Sequence, residues 1–225
     1  MAAFRHLKRE LGNRLDSPDW EGVLEHYRQL PLQDLVSPLM ALFYRLDEVT
    51  WRAVTLLGQT IGRMADETPD KARIVMRRLM WHLNEESGNL GWGAPETLGE
   101  AMANHPGLAR EYHCILWSYI RQGEADGNFL DHGPLRQGVI WGLGRLAQAH
   151  PTLAAKAKDD LLLALHDPAP SYHGHALWAL AQLREAASLD AAEVLLPAHI
   201  DPAATVHVFH HRRLRSFTME ELARP

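Results

Sequence analysis

The segment PLRQGVIWGLGRLAQ, residues 134–148, sets apolar side chains at helical spacing and closes on the pair Leu143-Gly144. Three other segments repeat the pattern. They are WRAVTLLGQTIGRMA from Trp51, WGAPETLGEAMA from Trp92 and SYHGHALWALAQL from Ser171, closing on Ile61-Gly62, Leu98-Gly99 and Leu180-Ala181. The small residues Gly62, Gly99, Gly144 and Ala181 lie 37, 45 and 37 residues apart. A period of roughly 35–47 residues built from helix pairs predicts an all-α chain stacked as an α-solenoid.

Outward from these helices the chain alternates regularly. Partner helices are expected near 70–83, 106–120, 151–166 and 191–199, separated by ETPD, NHPG, GEADGN, AHPT and HDPAP, which carry the residues that break helices. His105-Pro106 and His150-Pro151 read as turns with proline at a helix start. A first helix is expected over residues 2–15, a second from SPDW to about residue 30, and a third begins near Leu39. The last 25 residues differ. TVHVFHHRRLRSF has two β-prone ends, 205–209 and 214–217, and then Thr218 with Glu221 forms a capping-box signature. Residues 201–225 therefore read as a short extended or hairpin tail with a helical turn, separate from the repeats of residues 1–200.

Of the 225 residues, 46% are hydrophobic and 23% charged, enough apolar mass for a sizeable core. The net charge of −5 counts against a nucleic-acid partner, which usually asks for a basic footprint. With Cys114 as the one cysteine, no disulfide framework or multi-cysteine zinc site can form, and its apolar helical setting predicts a buried, inert thiol. The amphipathic start MAAFRHLKREL is unlike a secretory signal, and no run reaches the ~18 apolar residues of a membrane span. The expected setting is cytoplasmic, away from membranes.

The Arg136…Leu143-Gly144 spacing, Arg63 and Arg145 just after the small residue, and Asp167-Pro168 before a repeat helix resemble the HEAT-like (armadillo-type) repeat proteins, including the short repeats of phycobilin lyases. The likeness spans about residues 39–185. It implies a right-handed solenoid of about five or six helix pairs, with the second helix of each pair lining a concave surface. It says little about function, because one fold serves many roles.

Counting from the small residue at 100° per residue, positions −1, −5 and +2 hold only apolar side chains, from Leu57, Ile61 and Met64 to Ala176, Leu180 and Leu183. That side is the predicted core. The opposite columns are expected to face outward: Gln59, Glu96, Trp141 and Trp178; Arg63, Glu100, Arg145 and Gln182; Thr55, Trp92, Gln137 and Gly174. Glu100 between Arg63 and Arg145 suggests a charge ladder between repeats. Tryptophans on an outward face point to a binding surface, since Trp and Arg dominate interface hot spots; the rival is that they pack on one another or under loops.

The chain thus reads as a non-enzymatic binding or adaptor module. Its groove, formed by Trp92, Glu96, Glu100, Arg136, Trp141, Arg145 and Trp178, would hold a protein or peptide partner. Arg136 lies nearer the core side and alternatively ties one repeat to the next. Glu85, Glu86, Asp131, His132 and His173 are candidates for the rim, beside the glycine-rich stretch at 87–99. No cofactor is expected. No metal site is expected either, because the histidines at 173 and 175 do not share a helical face and no HExxH motif occurs. Two alternatives follow from the resemblance: a planar, tetrapyrrole-like ligand stacked on Trp141 and Trp178, or a DNA-glycosylase-like enzyme with Glu96, Glu100 or Asp131 as its acid.

Overall fold

The computed structural model describes residues 2–27, 30–45, 47–84, 91–123, 128–167, 170–186 and 196–224. The expected helix at 191–199 and the rim candidates Glu85 and Glu86 fall wholly or largely outside these residues. The chain is mostly helical. Helix α1 (Ala2–Asp16) leads through a 3₁₀ turn at Trp20–Gly22 to the short α2 (Val23–His26) and to α3 (Leu32–Met40). Then come α4 (Glu48–Glu67), α5 (Pro69–Leu83), α6 (Ala94–Asn104), α7 (Pro106–Ser118), α8 (Gly133–Ala149), α9 (Pro151–Ala154), α10 (Lys158–Ala164) and α11 (Pro170–Glu185). A two-stranded hairpin, β1 (Thr205–His210) and β2 (Arg213–Thr218), and α12 (Met219–Ala223) complete the order.

Local chemistry starts the helices where the sequence indicates. The Asp47 carboxylate accepts the Val49 N–H and caps α4, and prolines open α5, α7 and α9. At the first His-Pro pair, His105 Nδ1 accepts the Leu108 N–H at 3.2 Å, so this histidine is a helix cap. Helix α3 begins seven residues before the expected start at Leu39 and carries Pro38 inside it. Its buried stripe Leu32, Leu35, Val36 and Leu39 outweighs the one hydrogen bond that proline forfeits.

Neighbouring helices pack in pairs along the chain, α4 on α5, α6 on α7, and α10 on α11. The four repeat helices also touch one another in chain order: α4 lies against α6, α6 against α8, and α8 against α11. Every residue of the predicted core columns is buried. Glycines set the close approach. A Cβ on Gly99 would sit 2.6 Å from the Gly142 carbonyl oxygen, and one on Gly58 would fall 2.7 Å from the Glu100 Cβ. Cys114 departs from expectation: it is exposed on α7, beside His113, because Tyr112, His113 and Leu116 supply the buried face of that helix.

Candidate functional site

The hairpin determines what the repeat helices leave open. Its strands pair antiparallel from Thr205↔Thr218 to His210↔Arg213, around a two-residue turn of His211 and Arg212. Both turn residues have positive φ, 47° and 63°, as a type I′ turn demands. Neither is glycine or asparagine, so each costs on the order of 1 kcal/mol. The arrangement is held from outside: Arg212 Nη1 meets Glu21 Oε2 at 2.7 Å, tying the turn to the start of the chain.

Strand β1 lies edge-on over the tryptophan column. The Trp141 indole N–H donates to the Phe209 carbonyl at 2.8 Å, and the Trp178 N–H donates to His210 Nδ1 at 3.2 Å. Phe209 stacks on Trp51 at 5.3 Å, while Trp141 and Trp178 stack on each other at 6.0 Å, within 7° of parallel. Val206 fills the space left by Gly174. Trp141 is 2% exposed and Trp178 1%. The expectation that these two rings face outward is therefore corrected. They form the floor of a dock for the chain's own tail, and neither presents a free face for a planar ligand.

The remaining candidates scatter. Trp92 is half-buried against the His132 ring, 5.7 Å away, near Phe43 and His82. Arg136 takes the alternative role. Its Nη1 donates to the Leu130 carbonyl at 2.7 Å, its Nη2 lies 3.6 Å from Asp167, and its guanidinium covers the Phe129 and Tyr172 rings, so it ties α8 to the turn before α11. His173 is buried and bonded to the Asp167 carbonyl, Asp131 is exposed, and His132 leaves a buried Nδ1 without a partner among the described residues. His132 thus meets Trp92 and the Asp131 carbonyl accepts from Arg136, but none of the three lines the cavity that Glu100, Trp141 and Arg145 share. Among the described residues no group of three or more His, Cys, Asp or Glu is arranged to hold a metal ion.

Of the expected charge ladder one rung is made. Arg145 grips Glu100 through two bonds, Nε to Oε2 at 2.6 Å and Nη2 to Oε1 at 3.3 Å, and Asn104 donates to Glu100 Oε1 at 3.0 Å. Arg63 turns instead to Glu67, one turn along its own helix, at 3.5 Å. Local i,i+4 pairing wins because Glu100 is already satisfied.

A cavity of about 740 Å³ opens beside this pair, between the repeat helices and the hairpin turn. Four amides line it, one from each successive repeat helix: Gln59 of α4, Asn104 of α6, Gln148 of α8 and Gln182 of α11. Glu100 and Arg145 lie on its floor, and Phe209, His211 and Arg212 close one side. Neither Gln148 nor Asn104 stood out in the sequence. Each lies four or five residues past its small anchor residue, beyond the columns that carried the tryptophans.

Glu96 is absent from this cavity. Its Oε2 is buried without a hydrogen-bond partner among the described residues, and Gly138 provides the room, since a Cβ there would lie 2.7 Å from the Glu96 carboxyl carbon. Burial pushes the Glu96 carboxyl up to about 7. Burial, aided by the positive charge of His211 and Arg215, pushes His210 down to about 4. The two groups act on stability in opposite senses. The native state keeps a proton on Glu96 that the unfolded chain releases above about pH 4.5, so that contribution is lost as pH rises through 7. The unfolded chain protonates His210 below about 6.5 while the native state resists until about 4, so that contribution is lost as pH falls. Glu96→Gln is expected to gain about 2 kcal/mol relative to wild type between pH 5 and pH 8. His210→Gln should instead gain on wild type between pH 6.5 and 4. Urea midpoints across this range check both; a difference that stays flat with pH for either variant would contradict the burial of that group.

No family model matches the chain, and no curated protein or solved structure does so either.

Proposed function

We propose that the chain is a HEAT-like α-solenoid acting as a non-enzymatic binding module, and that its cavity holds an extended peptide segment of a protein partner. The chain-order contacts of α4, α6, α8 and α11 support the solenoid reading. The row of four amides supports the peptide reading. A primary amide offers two donors and an acceptor, so although Gln148 donates to Gln182 at 2.6 Å and Asn104 donates to Glu100, the row keeps donors and acceptors that complement a run of peptide groups rather than one small head group. The Glu100–Arg145 pair would orient the segment by charge, and the hairpin turn would cover it. Glu96 lies outside the cavity and Glu100 is bound to Arg145, so neither carboxylate stands free in it as the acid of a base-excising enzyme.

The test is a display library of random 12-residue peptides selected on wild-type protein. Binders are then measured against Gln59→Ala/Gln148→Ala, which removes two amides and little buried surface. Affinity should fall at least tenfold while the thermal midpoint moves by no more than a few degrees. Equal affinity for the variant, or no peptide selected, would remove the proposal.

A further inference from the structure

The docked hairpin has a second edge. A two-residue turn makes His210↔Arg213 a hydrogen-bonded pair, so Phe209↔Leu214 and His207↔Ser216 are non-bonded pairs whose main-chain groups point away from the hairpin. On β1 that outward edge is used, since the Phe209 carbonyl accepts from Trp141. On β2 no hydrogen bond to another element uses the matching N–H and C=O groups of Leu214 and Ser216 among the described residues. Residues 211–216 are all exposed, and β2 packs chiefly on β1 and α12. Exposed edges of this kind pair with another strand unless something prevents it.

The side chains on β2 narrow the partner. Arg213 and Arg215 project from one face and Leu214, 38% exposed, from the other. Neither arginine makes an ion pair among the described residues, although the whole chain carries a net −5. A second copy of β2 laid against this edge would set arginine against arginine, which cross-strand repulsion disfavours. An acidic strand meets the opposite situation.

We infer that β2 is a docking edge for an extended acidic segment of another protein, which adds as a third strand with acidic residues two apart opposite Arg213 and Arg215 and an apolar residue between them beside Leu214. Strand addition draws its affinity from main-chain hydrogen bonds and its selectivity from alternate side chains. Here the selective side chains are the two arginines. The site lies on the far side of the hairpin from the amide-lined cavity and does not depend on it.

The probe is a capped hexapeptide of alternating Glu and Val, compared with its Lys-Val counterpart by fluorescence anisotropy at low salt. The Glu peptide should bind at least tenfold tighter and should slow amide hydrogen exchange at Leu214 and Ser216. Arg213→Glu/Arg215→Glu, a change confined to exposed side chains, should reverse the preference. Gln59→Ala/Gln148→Ala should leave it intact, which separates this edge from the cavity. No binding, equal binding of the two peptides, unchanged exchange at those two amides, or indifference to the charge reversal would each overturn the inference.

Discussion

Trp141→Ala is expected to lower the unfolding free energy by about 3–5 kcal/mol, the usual cost of emptying a buried tryptophan site. The ring is 2% exposed and packs between Trp51 and Trp178. Its loss also orphans the Phe209 carbonyl, so β1 should loosen with it. Trp141→Phe separates the two parts. It keeps most of the packing and removes the donor, for about 1–2 kcal/mol. Trp81→Ala is the control: that ring is 59% exposed on α5, and its removal should stay within about 0.5 kcal/mol. Urea unfolding of the three variants gives the ranking. A Trp141→Ala protein as stable as wild type would place this indole in solvent and undo the docking of the tail.

The second large effect lies at the crossing of α6 and α8. Gly99→Ala should destabilise by about 2–3 kcal/mol, because the new methyl meets Gly142 main chain rather than a movable side chain. Alanine's helix propensity recovers only about 1 kcal/mol of the strain. Gly22→Ala has the opposite sign. Nothing lies within 4 Å of a Cβ there and its φ is −68°, so a gain of about 0.4–1 kcal/mol is expected. Thermal melts of the pair check the contrast; a neutral Gly99→Ala would mean the helices stand further apart than described.

The helices were legible because their signals are local. Prolines, caps and the 3.6-residue period act within one or two turns, and the columns from Leu57 to Leu183 were sorted by that period alone. The hairpin was legible for the same reason, from its β-prone ends and the Thr218–Glu221 box. Its destination was not. The bond from Trp141 to Phe209 joins residues 68 apart in sequence, and no periodicity encodes it. One signal did exist. Helix α11, with HALWALAQL, is apolar on nearly every side, and a helix of that kind is covered all round. The same reading would have withdrawn Trp178 from the outward face. Arg63 shows a different limit. A column of alternating charges predicts a ladder only while no partner is nearer, and Glu67 is nearer.

Moving the tryptophans indoors leaves the amides as the polar feature of the repeat face. Their involvement is read most directly from the side-chain NH₂ resonances of ¹⁵N-labelled protein titrated with a library-selected peptide. Shifts concentrated at Gln59, Asn104, Gln148 and Gln182, with the indole resonance of Trp178, which lies outside the cavity lining, unmoved, are the expected result. Shifts confined to β2 or to the Trp81 face of α5, with those four amides silent, would contradict the cavity as the binding site.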